Sequence, residues 1–279
     1  MFFYRLMRVI FWPINFLYPT KIVNRKNFDK VEGAVVICNH YAVPDTLIPA
    51  SKLYKKELHV LAKAEAFKSK IGNWFLRKVG AIPVHRGEAD ITAFKEVLKV
   101  LKQNKKLALY PEGTRNKKGT EEMGEFKQGA ARFAIKAKVP VLPMMYYKMH
   151  KLFSRNYLYI GEPVYLDKFY GTKSASDYME ATEIIHQAML KIREDLNAYV
   201  EEHNPRLAKK HKKELAKQKA KEEADALKEA KKNLADKADL SNKSDDKTVD
   251  NIAKSETVTD TLNVAVKKNE DNDGEKSKN

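Results

Sequence analysis

Short runs of apolar residues alternate along this chain with longer segments in which apolar residues recur every three or four positions. A short apolar run bounded by turn residues predicts a buried strand, and the longer spacing predicts an amphipathic helix. The predicted strands are 35–38, 58–62, 81–84, 107–110, 141–146 and 158–160. The predicted helices are 46–54, 71–78, 91–103, 129–136 and 176–201. Because strands and helices alternate, the sequence predicts an α/β fold, a single domain with a mostly parallel central sheet flanked by helices.

Segment 91–103 shows the helical spacing clearly. Asp90 precedes it and is predicted to cap its first turn, because a carboxylate there accepts a hydrogen bond from a free backbone N–H. The residues that fall on its apolar face are Ile91, Phe94, Val97, Leu98 and Leu101.

Residues 1–20 are predicted to form an amphipathic helix at a membrane interface. Many aromatic residues stand beside Arg5 and Arg8, a combination that suits the boundary between lipid and water. The segment is short of the ~20 apolar residues that a membrane span needs, and it lacks the small-residue cleavage site of a secretory signal. A helix packed on the domain's own core is the alternative. The basic residues that would attract anionic lipid are Lys21, Arg25, Lys26 and Lys30.

The C-terminal part of the chain differs in composition from the rest. Residues 205–240 are rich in Lys, Ala and Glu and predict a solvated helical tail. Residues 241–279 are polar, charged and free of aromatic residues, which predicts disorder. This leaves residues 21–204 as a domain long enough to bury a core.

The net charge of +16 is concentrated in the first 200 residues, which contain 34 Lys and Arg but only 19 Asp and Glu. A basic folded body favours an anionic partner, which could be nucleic acid, an anionic membrane surface or a phosphorylated substrate. The single cysteine, Cys38, excludes an intrachain disulfide and fits a reducing compartment. The histidines show no clustering at metal-ligand spacing, so we predict no metal site.

A histidine and a carboxylate follow the first predicted strand. His40 and Asp45 lie on the loop that leaves the apolar run 34–38, where α/β folds place their ligands. Such a pair is suited to act as a base and the group that orients it. The same spacing recurs at His85 and Asp90, but Asp90 already has the role of a helix cap. We therefore predict that His40 and Asp45 form the catalytic pair.

Other strands deliver cations to the same edge. Lys63 follows strand 58–62, Arg86 follows strand 81–84, and Arg115 follows strand 107–110 through the turn 111–114. Arginine offers a rigid fork of donors that suits a phosphate. The alternative is a surface arginine paired with a neighbouring glutamate. Taken together, these residues predict a base beside a cationic rim formed by Lys63, Arg86 and Arg115.

These motifs resemble those of the glycerolipid acyltransferases, and most closely those of their 1-acyl-sn-glycerol-3-phosphate acyltransferase members. The resemblance covers roughly residues 20–200 and rests on four short blocks in the family's order. Ala42 departs from the family pattern, because many members have serine there. The blocks are Asn39-His40 with Asp45, residues 63–65 with 80–86, residues 111–115, and residues 139–143.

The resemblance implies a mechanism for residues 21–204 as an acyltransferase catalytic domain. Asp45 holds the His40 ring, and His40 removes a proton from the free sn-2 hydroxyl of lysophosphatidic acid. The alkoxide then attacks the thioester of acyl-CoA or of an acyl-acyl carrier protein, and phosphatidic acid is formed without a covalent acyl-enzyme. No cofactor is implied beyond this acyl donor.

The resemblance also implies binding roles. Arg86, Arg115 and Lys63 would bind the phosphate of the acceptor. The residues expected to position the substrate or shape the loop are Glu112, Gly113, Thr114 and Asn39. A purely structural carboxylate that neutralises the arginines is the alternative for Glu112.

The expected partners are lysophosphatidic acid, an acyl-CoA or acyl carrier protein donor, and an anionic membrane surface. The expected location is the cytoplasmic face of the cell membrane, as a peripheral or monotopic protein. An acyltransferase that uses glycerol 3-phosphate or another lysophospholipid is the alternative within the same chemistry. A basic nucleic-acid-binding protein is the alternative from another class, but no nucleic-acid motif is visible and no nucleic acid is expected.

Overall fold

The computed structural model of the chain describes residues 6, 9–53, 58–85, 90–116 and 120–244. The chain divides into two compact units, Met1–Leu215 and Ala216–Asn279. In the described part of the second unit, the backbone is helical as far as Ser244.

One seven-stranded sheet lies at the centre of the first unit. Its order is β1-β7-β6-β2-β5-β3-β4, and every neighbouring pair is parallel except β6 with β7. The predicted α/β fold with a mostly parallel sheet is therefore confirmed. The strands are β1 Thr20–Val23, β2 Ala34–Cys38, β3 Leu58–Lys63, β4 Ala81–Val84, β5 Lys106–Leu109, β6 Val141–Tyr146 and β7 Asn156–Ile160.

Helices connect the parallel strands and cover the sheet. Short 3₁₀ turns at Ala64–Phe67 and Asp167–Phe169 complete the regular structure of the described residues. The α-helices are α1 Trp12–Leu17, α2 Arg25–Lys30, α3 Pro44–Lys52, α4 Lys70–Lys78, α5 Ile91–Lys102, α6 Gly129–Ala137, α7 Ala175–His203 and α8 Pro205–Ser244.

Two elements near the N-terminus, β1 and α2, were not predicted. β1 has the sequence Thr-Lys-Ile-Val, too short and too polar to read as a strand alone, and it forms by pairing with β7. The N-terminal helix was predicted over 1–20, but α1 ends at Leu17 and Thr20 already belongs to β1. Pro19 lies between the two elements, and it has no backbone N–H to continue the helix.

The boundary between domain and tail also differs from the prediction of 204–205. The first unit continues to Leu215, because the first turns of α8 pack on the domain. Ala208 and His211 are buried there. The predicted start of disorder at 241 is wrong for residues 241–244, which belong to α8. Residues 245–279 lie outside the described part of the chain.

β2 is the centre of the core. All five of its residues are buried, and they alternate between the two faces of the sheet. Val35 and Ile37 join the cluster that packs under α5, α6 and α7. Val36 and Cys38 join the cluster on the other face, which Phe28 of α2 covers. A fully buried strand explains why this run has no polar residue.

Among the helices of the described residues, none combines the length and the apolar character that crossing a membrane would require.

Truncation of a core leucine tests the importance of the central strands. Leu107 of β5 is fully buried, so Leu107→Ala should lower the free energy of unfolding by ~2–5 kcal/mol through the lost contacts and the cavity that remains. Urea denaturation measures this change. Leu190→Ala is the matched control, because Leu190 is 37% exposed on α7, and it should cost much less. Equal losses in the two variants would contradict this account of the core.

Candidate active site

The predicted site residues lie at the carboxyl ends of β2, β5 and β3. These three strands are neighbours and run parallel, so the loops that follow them meet at one edge of the sheet. The loop after β2 carries His40, the loop after β5 carries Arg115, and Lys63 is the last residue of β3. The first two loops are joined directly, because Asn116 N–H donates to the His40 carbonyl at 2.7 Å.

His40 and Asp45 form a hydrogen-bonded pair. Nδ1 of His40 lies 2.9 Å from Oδ2 of Asp45, and the same oxygen accepts the backbone N–H groups of Tyr41 (2.6 Å) and Ala42 (2.7 Å). A carboxylate partner places the ring proton on Nδ1, which leaves a lone pair on Nε2. Ala42 contributes through its backbone, so this arrangement does not need the serine that many relatives have there.

The surroundings of Asp45 keep it ionised. Its side chain has no exposed surface, and burial alone would raise the pKa of this carboxyl. The polar contact with His150 and the hydrogen bonds from His40 and the backbone of Ala42 outweigh burial, so the pKa of Asp45 is lowered from its ordinary value. A charged Asp45 is what a general-base histidine requires from its partner.

Tyr110 supports the other side of the His40 ring. The two rings stack with centroids 3.8 Å apart and an angle of 14° between their planes. The Tyr110 hydroxyl is in turn 2.6 Å from the hydroxyl of Thr46. Sequence analysis missed this role of Tyr110, which it read only as the end of an apolar strand. The ring of His40 is thus held both by a hydrogen bond and by stacking.

Arg115 faces Nε2 of His40. Its Nε lies 3.4 Å from Nε2 of His40, and its guanidinium is exposed. A donor in this place requires the lone pair on Nε2 that the Asp45 contact predicts. The position next to the base is therefore also next to a permanent positive charge.

A large cavity opens beside this group. Its volume is about 910 Å³, and His40, Arg115, Lys63 and Lys127 are among the residues that line it. The remaining lining is mostly apolar, which suits a long hydrocarbon chain. The larger apolar residues of the lining are Phe11, Leu47, Leu58, Val60, Leu61, Phe75, Leu76, Val79, Val84 and Leu109.

Comparison with known proteins finds a family model that matches this part of the chain. Residues 19–147 match the family model described as Acyltransferase. That range contains His40, Asp45, Lys63 and Arg115. Over these residues the chain is therefore similar to the Acyltransferase family.

Several curated proteins that are similar to this chain share a name. A 1-acyl-sn-glycerol-3-phosphate acyltransferase of Bacillus subtilis (strain 168) is 29% identical over 182 residues, which are 63% of this chain and 89% of the relative. One from Borreliella burgdorferi is 28% identical over 148 residues, which are 52% of this chain and 58% of the relative. The crystal structure of the 1-acyl-sn-glycerophosphate (LPA) acyltransferase PlsC from Thermotoga maritima aligns with a TM-score of 0.48 and 24% identity, over 63% of this chain and 71% of that one.

A glycine determines the backbone conformation of the loop after β5. Gly113 has a φ of +70°, and a Cβ there would lie 2.9 Å from the Lys127 side chain. Glycine adopts this conformation without strain. Oε2 of Glu112 accepts the backbone N–H of Gly124 at 3.3 Å. Thr114 is exposed and lines the cavity.

The remaining predicted residues have different positions. Asn39 is buried and belongs to the fold, because its side chain accepts from the N–H of Tyr146 (2.8 Å) and donates to its carbonyl (3.0 Å). Lys63 is exposed and lines the cavity. Arg86 lies outside the described residues. Asp90 caps α5 as predicted by accepting from Ala93 N–H, so it is not part of a second catalytic pair.

Two further observations limit the chemistry of this site. Burial raises the pKa of the Cys38 thiol well above its ordinary value, which disfavours a thiolate nucleophile beside His40. Within the described part of the chain, no three His, Cys, Asp or Glu side chains come together as a metal-binding group.

The site also contains a second histidine, His150, whose Nε2 lies 3.2 Å from Oδ1 of Asp45. Sequence analysis missed this contact, because His150 belongs to none of the motifs.

The buried carboxyl of Glu112 gives a prediction for the pH dependence of stability. Burial raises the pKa of Glu112 above its ordinary value of 4.5. The favourable contribution of the protonated form is fully present below pH 4.5 and is lost as the pH rises through the raised pKa. Glu112→Gln, which cannot ionise, should therefore gain stability relative to the wild type between pH 4 and pH 8.

Urea denaturation at several pH values measures this difference. Glu125→Gln, a change at an exposed glutamate of the following loop, is the matched control. A Glu112→Gln protein that loses stability relative to the wild type as the pH rises would show that the carboxylate is stabilised in the fold, contrary to our expectation.

Proposed function

We propose that this protein transfers an acyl chain from acyl-CoA or an acyl-acyl carrier protein to the free sn-2 hydroxyl of lysophosphatidic acid, forming phosphatidic acid. The observation that carries the proposal is the lone pair on Nε2 of His40, which faces Arg115 beside a large apolar cavity. A base, a fixed positive charge and an apolar cavity are the three features that an acylated phosphate acceptor needs.

The chemical step assigns one atom to each group. The acceptor hydroxyl lies against Nε2 of His40, which takes the proton as the oxygen attacks the thioester carbonyl of the donor. Asp45 stabilises the imidazolium that forms, since its Oδ2 already accepts from Nδ1. The thiol of CoA or of the carrier protein then leaves with a proton that His40 returns.

The cationic rim is assigned to the acceptor phosphate. Arg115 is 3.4 Å from the base, so a phosphate bound to it keeps the neighbouring hydroxyl within reach of His40. Lys63 and Arg86 are also assigned to the acceptor phosphate, which is the role that the family resemblance implies for them. Lys127 adds a cation from the loop before α6, because it also lines the cavity.

The apolar part of the cavity is assigned to an acyl chain. A volume of about 910 Å³ is near the upper end of the range for small-molecule sites. Burial of a hydrocarbon chain is favourable in proportion to its area. Acceptors without a chain, such as glycerol 3-phosphate, would leave this lining unused unless the donor's chain occupies it.

The surface near the N-terminus is assigned to an anionic membrane, at its cytoplasmic face. Large apolar side chains exposed there include Trp12 (67%) and Phe16 (71%) on α1, and Leu152 (59%) and Phe153 (64%) in the loop between β6 and β7. Phe16 and Phe153 meet edge to face with ring centroids 5.9 Å apart, so the helix and the loop form one patch. Apolar groups beside basic ones are typical of proteins that bind the membrane interface.

Removal of the base tests the reaction. His40→Ala should lower kcat/KM for acyl transfer to lysophosphatidic acid by ~10²–10⁴ without loss of folding, since the general base is missing. Transfer from radiolabelled acyl-CoA and acyl-acyl carrier protein measures it, with glycerol 3-phosphate and other lysophospholipids as competing acceptors. His203→Ala on the exposed face of α7 is the matched control. A folded, fully active His40→Ala enzyme would overturn the base, and a different preferred acceptor would overturn the substrate.

Removal of the exposed aromatic patch tests membrane binding. Phe16→Ala combined with Phe153→Ala should weaken binding to vesicles of phosphatidylcholine and phosphatidylglycerol by at least ~10-fold, because each ring loses a favourable apolar contact with lipid. Vesicle co-sedimentation measures the binding. Tyr165→Ala, a change at an aromatic residue that is 62% exposed elsewhere on the domain, should have little effect. Unchanged binding of the double variant would rule out this patch.

A further inference from the structure

His150 lies in the loop that follows β6, and the reaction described above does not use it. Its side chain is only 2% exposed, and its Nε2 lies 3.2 Å from Oδ1 of Asp45. The two residues are far apart in sequence, so the contact depends on the tertiary fold and not on a local turn. It places a second histidine on the carboxylate that already holds His40.

Asn156 determines which ring nitrogen of His150 carries the proton. Oδ1 of Asn156 accepts the backbone N–H of Tyr157 (2.9 Å) and of Lys148 (3.4 Å), so the amide cannot be turned over without losing both. Its Nδ2 donates to the Lys148 carbonyl (2.7 Å) and faces Nδ1 of His150 at 3.4 Å. An amide N–H at Nδ1 needs a lone pair there, so the ring proton of the neutral imidazole is on Nε2, facing Asp45.

The two oxygens of Asp45 have different environments. Oδ2 accepts from His40 and from two backbone N–H groups. Oδ1 is buried and receives no straight hydrogen bond from the described residues, but it makes a bent 3.2 Å contact with Nε2 of His150. A buried carboxylate oxygen is strongly stabilised by a facing N–H dipole. This contact opposes rotation of the carboxylate away from His40.

The ring of His150 is held in place by aromatic neighbours. It meets Tyr146 edge to face at 4.6 Å and Tyr18 at 5.7 Å. The Tyr146 hydroxyl also donates to the backbone carbonyl of Asp45 at 3.2 Å. The end of β6 is therefore tied to Asp45 through the backbone as well as through the two side chains.

We infer that His150 is a positioning residue for acyl transfer. Held as its Nε2–H tautomer by Asn156, it fixes Oδ1 of Asp45, so that Oδ2 keeps the proton of His40 on Nδ1 and the lone pair on Nε2. The inference rests on the proposed function for the identity of the reaction. The contact itself is independent of which acceptor or donor the enzyme uses.

Kinetics of two substitutions test this role. His150→Phe keeps a flat ring between the two tyrosines but removes both nitrogens, and it should lower kcat by ~10-fold, the lower end of the effect of losing a supporting hydrogen bond. KM for the acceptor should stay within about twofold, because His150 does not touch the substrate. His150→Gln restores an N–H donor and should recover much of kcat. His203→Phe on α7 is the matched control. A His150→Phe enzyme with the wild-type kcat would overturn the inference.

A double-mutant cycle separates positioning from a general structural effect. In the Asp45→Asn background the carboxylate is absent, so adding His150→Phe should lower kcat little further. The same loss in both backgrounds would show that His150 does not act through Asp45, and would overturn the inference.

The tautomer can be measured in the unaltered protein, which does not depend on the folding of any variant. Long-range ¹H–¹⁵N correlation spectra should assign the His150 ring nitrogens as a protonated Nε2 and an unprotonated Nδ1. A proton on Nδ1 at neutral pH would overturn the inference even in an active enzyme. Absence of acyl transfer to every acceptor would instead count against the proposed function, while the spectra would still decide the tautomer.

Discussion

The buried carboxylate of Asp45 is the constraint around which the site is built. Its side chain has no contact with solvent, so the donors that water would supply must come from the protein. They come from the loop after β2, from His40 and from His150 after β6. Satisfying this one group fixes the path of the loop and the orientation of the base. Because the hydrogen bonds favour the ionised form more than burial disfavours it, the carboxylate remains a charged partner for His40.

The parallel sheet explains why a base and a cation meet. His40 and Arg115 are far apart in sequence, but β2 and β5 are neighbours and their carboxyl ends share one edge. The contact between Arg115 and Nε2 is 3.4 Å, and under the proposed function it would give the acceptor two neighbouring partners, one for its phosphate and one for its hydroxyl. Tyr110 completes the arrangement, because its ring stacks on His40 and leaves Nε2 as the free edge. The chemistry of the site therefore follows from strand order as much as from the motifs.

One cavity has a lining that is partly charged and partly apolar. Lys63, Arg115 and Lys127 line it together with apolar residues from α3, β3 and α4. An amphiphilic substrate matches both kinds of lining, since the phosphate is paired with cations and the hydrocarbon chain leaves water. The exposed aromatic residues on α1 and in the loop between β6 and β7 belong to the same compact unit as this cavity. A membrane lipid thus fits the composition of the cavity and of the surface around α1.

The apolar pattern and the motifs of the sequence determined most of the strands and part of the candidate site. Apolar periodicity located six of the seven strands, and local motifs located the cap at Asp90 and the pairing of His40 with Asp45. These features depend on residues close together in the chain. Periodicity missed β1, whose Thr-Lys-Ile-Val sequence becomes a strand only beside β7. It also missed Tyr110 under the base and His150 on Asp45. These contacts join residues from different loops, and only the tertiary structure decides which loops meet and which oxygen of a buried carboxylate each donor reaches.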